Sequence, residues 1–286
     1  DYSFFGKARP KSEILTYSQF WKKFADFWKK NGHELLPRYP VICRWRDDLY
    51  FTIASIVDFQ RLEKGKVVFE YPSSPLMVPQ ICLRFVDIAN VGVTGRHLSC
   101  FMMAGQHAFN EKSSKGEKSK SKEYWKDETI EFNFKFLTQV LGIPKDKITY
   151  GEDLWHMPDF SAFGPSIESF SGGLELVNSV FMQFRATPDG KFEELDTRVI
   201  DVGWGFERLL WFYNKTLSVY DSVFPEEIAF MRKKSHLEID DKLYENYSKL
   251  AAKLNIEEVR NLREEKEKIA SNLGISLEHL EKTIAG

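Results

Sequence analysis

Residues 81–110 read ICLRFVDIANVGVTGRHLSCFMMAGQHAFN, and a distant counterpart, residues 199–212, reads VIDVGWGFERLLWF. In the first stretch Arg84 interrupts an apolar run, a glycine-bearing loop follows, and Arg96, His97 and Phe101 come next. Period-two alternation over residues 81–87 puts Ile81, Leu83 and Phe85 on one face of a strand and Arg84 on the other, projecting from the floor of a cleft. The second stretch passes from an apolar strand through Asp201, Gly203 and Gly205 into a helix whose first turn carries Glu207 and Arg208.

Outward from these stretches the pattern alternates between helix and strand signals. Phe20, Trp21, Phe24, Phe27 and Trp28 have amphipathic-helix spacing over residues 17–30, ahead of Gly32. Between residues 39 and 96, short runs of Val, Ile, Leu and Phe are separated by Pro and Gly clusters, which predicts strands and turns. A second helix is predicted over residues 124–141, stopped by Gly142 and Pro144, with strands near 147–150, 173–185 and 198–202. Without regular strand-helix-strand alternation, this order predicts an α+β fold: a mainly antiparallel sheet flanked by helices. Past residue 223, Leu and Ile recur at helical spacing among charges over 242–254, 256–273 and 276–284. Asn255 followed by Glu258 resembles a capping box there. The expected division is a domain over residues 1–222 and a helical segment over 223–286.

Composition narrows the function classes. With 286 residues, 43% of them hydrophobic, the chain can fill a large core, and a net charge of -2 excludes a polyanion-coating protein, so any nucleic-acid contact is local. The helical segment itself carries 11 basic and 13 acidic residues, which makes it no electrostatic clamp for RNA. Cys43, Cys82 and Cys100 lack metal or disulfide spacing and read as reduced core thiols of a cytoplasmic protein. No run is long and apolar enough to suggest a membrane span. The lysine-rich residues 111–126 read either as a solvated loop or as a phosphate-binding loop.

The chemistry-bearing residues converge on one kind of ligand. An arginine fork on a cleft floor suits a phosphate or carboxylate, although a lone strand arginine also serves in a structural ion pair. Arg96 and His97 can hold outer phosphates, Phe101 can stack on a base, and Gly203 and Gly205 permit close backbone approach. Together they describe a grip for a nucleoside triphosphate. Asn178 aligns with the apolar Leu176, Val180 and Met182, where a buried amide costs about 1–3 kcal/mol unless hydrogen-bonded. It is either a core network contact or, with Asp201, part of a pocket for a ligand bearing an ammonium and a carboxylate.

These motifs, in this order, resemble the catalytic domain of the alanyl-tRNA synthetase family of class II aminoacyl-tRNA synthetases, in its archaeal form. The resemblance rests on Arg84 with Asn90-Val91-Gly92 and Thr94-Gly95-Arg96-His97, on Val180-Phe181-Met182-Gln183-Phe184, and on Asp201 through Arg208. It covers roughly residues 2–224, and the remainder resembles the start of the family's helical tRNA-recognition region. Gly32-His33 with Pro37 and Pro40 resembles the family's first motif.

The resemblance implies roles. Arg84 would bind the ATP α-phosphate and the amino-acid carboxylate, Arg96 and His97 the triphosphate tail, Phe101 the adenine, and Arg208, beside Gly203 and Gly205, the nucleotide. Asp201 would hold the α-ammonium, Asn178 the amino acid, and Trp155 would wall a pocket sized for L-alanine. It further implies ATP as substrate, Mg2+, and transfer of alanine to tRNA-Ala. Three departures stand out: Met102 where many relatives carry Glu, Val202 where Thr is usual, and the bulky Phe160 and Phe163 after Trp155 in place of a glycine-rich run. No HxxxH with a downstream Cys/His pair occurs, so the expectation is a fragment or subunit without zinc, whose editing, oligomerisation and further tRNA-recognition parts lie on another chain or a missing segment. Two alternatives stand beside it: a free-standing homologue activating a small amino acid for a non-tRNA acceptor, and a non-catalytic RNA-binding paralogue.

Overall fold

The computed structural model describes residues 2–4, 9–63, 66–111, 124–157, 160–187, 189–235, 240–253 and 263–285. Its first helix, α1 (Tyr17–Lys30), is set by a reciprocal cap: the Gln19 N–H donates to Thr16 Oγ1 and the Thr16 N–H donates to Gln19 Oε1. The aromatic stripe predicted on it is buried at Phe20, Phe24 and Trp28.

Seven strands make one sheet: β1 (Glu34–Leu35), β4 (Leu76–Leu83), β5 (Cys100–Glu111), β6 (Ile148–His156), β7 (Phe163–Ser171), β8 (Leu174–Ala186) and β9 (Phe192–Gly205). Their spatial order is β1-β4-β5-β9-β8-β7-β6, antiparallel except for the parallel β1–β4 pair. A separate hairpin joins β2 (Gln60–Glu63) to β3 (Lys66–Phe69). The expected α+β class with a mainly antiparallel sheet is what the chain forms.

Alternation along the strands sends residues to two cores. On one face Met102 and Ala104 of β5, Val177 and Phe181 of β8, and Ile200, Val202 and Trp204 of β9 meet α1, α2 (Lys126–Lys135) with the π-helical turn that extends it (Phe136–Val140), and α3 (Phe206–Asn214). Trp204 sits against Phe24, Trp28 and Phe136, and its Nε1–H donates to Gln106 at 3.0 Å. The opposite face carries a smaller core of Leu76, Val78, Phe109, Val180, Met182 and Val199, covered by Ile56 and Phe59 from a short 3-10 turn (Ser55–Phe59). Its uncovered part is a floor where Asn178, Gly203 and Gly205 are half-buried.

Three expectations need correction. The strand predicted over residues 81–87 ends at Leu83, and Phe85 is 58% exposed rather than packed with Ile81 and Leu83. Of the three thiols only Cys82 is a core group; Cys100 is exposed and Cys43 half-buried. The strands expected at 147–150 and 198–202 extend to His156 and across Phe192–Gly205. Most of the lysine-rich stretch (residues 112–123), the Asn255–Glu258 capping box, and Pro158 and Asp159 lie outside the described residues.

After α3 come α4 (Val219–Val223), α5 (Pro225–Ser235), α6 (Asp241–Leu250), α7 (Arg263–Leu273) and α8 (Leu277–Ala285). No helix among the described residues is long and apolar enough to cross a membrane.

Candidate active site

Three central strands set the site by register. Asp201, Gly203 and Gly205 of β9 face the open floor, because their alternates Ile200, Val202 and Trp204 are buried against the helices. Across β8, Val180 lies opposite Asp201 and Asn178 opposite Gly203, so the amide and the carboxylate are diagonal neighbours on one face. Trp155 of β6 packs on the smaller core with Met157, Ala162 and Val180, walling the same face. A Cβ on Gly203 would stand 3.1 Å from Met103 Sδ, and one on Gly205 3.3 Å from Arg208 Cδ.

Arg84 follows the last paired residue of β4 and inherits the face of Gln80 and Cys82. Its Nε–H donates to the Ile53 carbonyl at 2.7 Å, and its guanidinium lies 5.3 Å from the centre of the Phe101 ring. Burial lowers its pKa, and the positive Arg208 nearby adds to that. Arg208, in the first turn of α3, donates from Nε to the Arg96 carbonyl and from Nη1 to Glu175, each at 3.0 Å. Arg96 donates from Nη1 to the Ala252 carbonyl at 2.8 Å and to the Tyr2 hydroxyl at 3.3 Å. His97 is locked by Thr94 Oγ1 at 2.6 Å and held toward its neutral form by burial and by the charges of Arg96 and Arg208.

At the other end of the floor, Asp201 is 7% exposed, and burial pushes its carboxyl up to about 7 against the opposing pull of Arg84. Asn178 donates to Glu168 at 3.4 Å, while its buried Oδ1 has no hydrogen-bond partner. An orphaned buried acceptor on a ligand floor invites a donor from the ligand. Burial raises the Glu168 carboxyl, and the charges of Glu175 and Asp153 raise it further. Among the described residues no three His, Cys, Asp or Glu side chains are grouped as a metal cage. Two crowded carboxylates fit Mg2+ all the same, since that ion commonly takes one or two carboxylates and completes its shell with water and substrate phosphates.

The floor thus runs from cationic, at Arg84 and Arg208, to carboxylate and amide, at Asp201 and Asn178. The family profile for tRNA synthetases class II (A) matches residues 19–286 of this chain. The chain belongs to the class II (A) tRNA synthetases. It is 44% identical over 283 residues to the "Alanine--tRNA ligase" of Nitrosopumilus maritimus (strain SCM1), covering 99% of this chain and 30% of that protein. Identity is 43% over 285 residues to the same-named protein of Cenarchaeum symbiosum (strain A), with 99% and 30% covered. For that of Methanocella arvoryzae it is 39% over 284 residues, with 99% and 31% covered. This synthetase chain therefore spans under a third of the length of these relatives. Among solved structures it is similar to a pyrrolysyl-tRNA synthetase from Desulfitobacterium hafniense, at TM-score 0.39 and 13% identity over 76% of each chain.

The floor brings together Arg84, Phe101, Trp155, Asn178, Asp201, Gly203, Gly205 and Arg208, whereas Arg96 and His97 sit behind Arg208 on the turn over residues 92–97. Two of the departures noted in the sequence do not reach the floor. Met102 is buried in the helix-side core with its N–H donating to Glu207, and Val202 is fully buried there too. Phe160 and Phe163 lie beyond Trp155: Phe160 stacks on His156 at 4.2 Å, and Phe163 packs on Phe184 and Phe192. Sequence reasoning missed Glu168, Glu175, Ser55 and His107. Glu175 carried a signal, a charge between Leu174 and Leu176 inside an apolar strand.

Proposed function

We propose that this chain activates L-alanine with ATP and transfers it to the 3′ end of tRNA-Ala. The alanine carboxylate would attack the α-phosphorus in line, forming the carboxyl-phosphate bond of alanyl-adenylate as the bond to the pyrophosphate oxygen breaks. No enzyme nucleophile is needed; positioning and charge neutralisation supply the catalysis. Arg84 would bridge the α-phosphate and the alanine carboxylate, Arg96 and His97 would hold the outer phosphates, Phe101 would stack on the adenine, and Arg208 would hold the nucleotide over Gly203 and Gly205. Asp201, ionised, would pair with the α-ammonium, Asn178 would orient the amino acid, and Trp155 would limit the side chain to a methyl. Glu168 and Glu175 would hold Mg2+, which when bound draws negative charge off the triphosphate. No step uses zinc.

The division at residues 222 and 223, a cytoplasmic setting, and further tRNA-recognition, editing and oligomerisation parts on a missing segment or separate chain belong to the same reading. Such parts matter because a pocket sized for a methyl separates alanine from glycine or serine by only about 1–3 kcal/mol. The observation that carries the proposal is the placement of Arg84, Trp155, Asn178, Asp201 and Arg208, drawn from separate segments, around one floor of the sheet. It is supported by 44% identity to an alanine ligase. Amino-acid-dependent ATP-pyrophosphate exchange tests it: exchange led by alanine over serine and glycine, lost in Arg84→Ala and Asp201→Ala, is expected. Exchange with none of the three would overturn it. Alanine transfer to tRNA-Ala tests the acceptor.

A further inference from the structure

Beneath Asp201 lies a buried polar relay that the proposed chemistry does not use. His107 of β5 is fully buried, as is Ser55 from the 3-10 turn. His107 Nδ1 stands 3.4 Å from an Asp201 carboxylate oxygen, and its Nε2 lies 3.0 Å from Ser55 Oγ. Phe59 holds the ring edge-on at 5.5 Å, with Phe109 beyond it at 6.4 Å. Gly105 makes room for the pair: a Cβ there would sit 2.2 Å from Ser55 Oγ and 2.5 Å from His107 Nε2. The order serine, histidine, aspartate is that of a hydrolase triad, but a hydroxyl with no exposure cannot reach a substrate, so Ser55 is no nucleophile.

We propose that His107 is a positioning residue for Asp201, its ring fixed by the Ser55 hydroxyl so that Nδ1–H faces the carboxylate. Ser55 donating to Nε2 selects the tautomer with its proton on Nδ1. The ring remains neutral, because full burial brings its pKa down to about 3. Asp201 is thereby favoured in its ionised form, since an N–H dipole pointed at a carboxylate stabilises the charged form. The groups around the carboxylate are few. His107 faces it from β5, Arg84 acts from the end of β4, and the opposing residue on β8 is the uncharged Val180. At 3.4 Å the His107 contact is long and is not an aligned hydrogen bond, so the ring acts on Asp201 as an N–H dipole beside the charge.

The inference rests on the alanine-activating reading for its kinetic arm and not for its spectroscopic one. His107→Phe keeps the volume and removes both nitrogens; His107→Asn restores a donor near the Nδ1 position; Ser55→Ala removes only the lock. In exchange assays the Phe variant is expected to raise the KM for alanine about threefold to tenfold, with the KM for ATP unchanged. Its acid limb in kcat/KM for alanine moves to higher pH, the Asn variant recovers most of the loss, and Ser55→Ala falls between. In parallel, 13C-aspartate NMR of the full chain reads the Asp201 titration directly, and His107→Phe is expected to move its midpoint upward. A folded Phe variant with an unchanged Asp201 midpoint overturns the proposal, whether or not the wild type exchanges pyrophosphate. Equal changes in the KM for alanine and for ATP also overturn it, because they mark a structural role alone. Absence of exchange in the wild type, with the midpoint still moved by His107→Phe, refutes the alanine reading and leaves the relay standing.

Discussion

Asp201 carries a stability cost that its proposed role in binding would account for. Its carboxyl titrates near 7 in the fold against about 4 in an unfolded chain, chiefly through burial. A folded value above the unfolded one means that its stabilising contribution is complete below pH 4 and is lost as pH rises through 7, because the ionised form resists burial. Asp201→Asn removes that penalty. Urea unfolding at pH 8 is expected to show the Asn variant more stable than wild type by about 1–4 kcal/mol, with the gap closing toward pH 4. The same variant should lose alanine-dependent exchange by at least a hundredfold, and the wild-type KM for alanine should climb as pH falls below 7, where the carboxyl is protonated. A variant less stable at pH 8 than at pH 4, relative to wild type, would contradict this account. Asp201 was legible in the sequence as a charge inside an apolar strand, and Asn178 as an amide in line with Val180 and Met182, although Leu176, expected on that same face, packs in the helix-side core. His107 was not, for its neighbours in AGQHAF show no period, and only the register of β5 against β9 reveals that it faces Asp201.

At the scale of elements, the strands that escaped sequence reading are those whose surroundings erase the usual signal. β5 runs CFMMAGQHAFNE between two sheet neighbours with both faces covered over most of its length, so no alternation survives. β7 begins Phe163-Gly164-Pro165-Ser166, which reads as a breaker, yet there the β7–β8 register slips and relieves the pairing that proline cannot make. Gly164 is the fixed point of that slip: a Cβ would sit 1.8 Å from the Phe181 carbonyl oxygen, a backbone atom with no rotamer to change. Gly164→Ala should therefore push β7 off β8 and cost roughly 3 kcal/mol or more, at or above the top of the usual range for an overpacked core. Because Gly164 pairs with Trp155, the variant should also raise the KM for alanine while the KM for ATP holds. Denaturant melts with exchange kinetics on the same preparation test both; a variant as stable as wild type would show that the strand relaxes freely. The helices were easier to read. The aromatic stripe of α1 is a local signal that no tertiary contact overrides.

Across the whole molecule, Tyr2 at the start of the described chain and α6 with the turn after it meet on the turn that carries Arg96 and His97. The Tyr2 N–H donates to the Lys249 carbonyl at 2.8 Å, and its hydroxyl donates to the Thr94 carbonyl at 2.9 Å while receiving Arg96 Nη1. From α6, the Tyr247 hydroxyl reaches the Val93 carbonyl at 3.2 Å, and the Ala252 carbonyl receives Arg96. The helical segment, nearly balanced in charge, thus acts on the site by bracing rather than by long-range attraction. Burial raises the Tyr2 and Tyr247 hydroxyls above their ordinary value, so both stay protonated and both can donate throughout the working pH range. Tyr2→Phe and Tyr247→Phe each remove one brace without opening a cavity, a loss of about 1 kcal/mol apiece. If the turn positions Arg96 for the outer phosphates, each variant should raise the KM for ATP severalfold and leave the KM for alanine within twofold, since Asp201 and Asn178 stand on β9 and β8 rather than on that turn. Because both braces act on one turn, the double variant should depart from additivity, and pyrophosphate exchange at saturating alanine measures that coupling. Equal effects on both substrates would mean that the braces stabilise the domain as a whole and that the turn has no separate freedom for the tail to restrain.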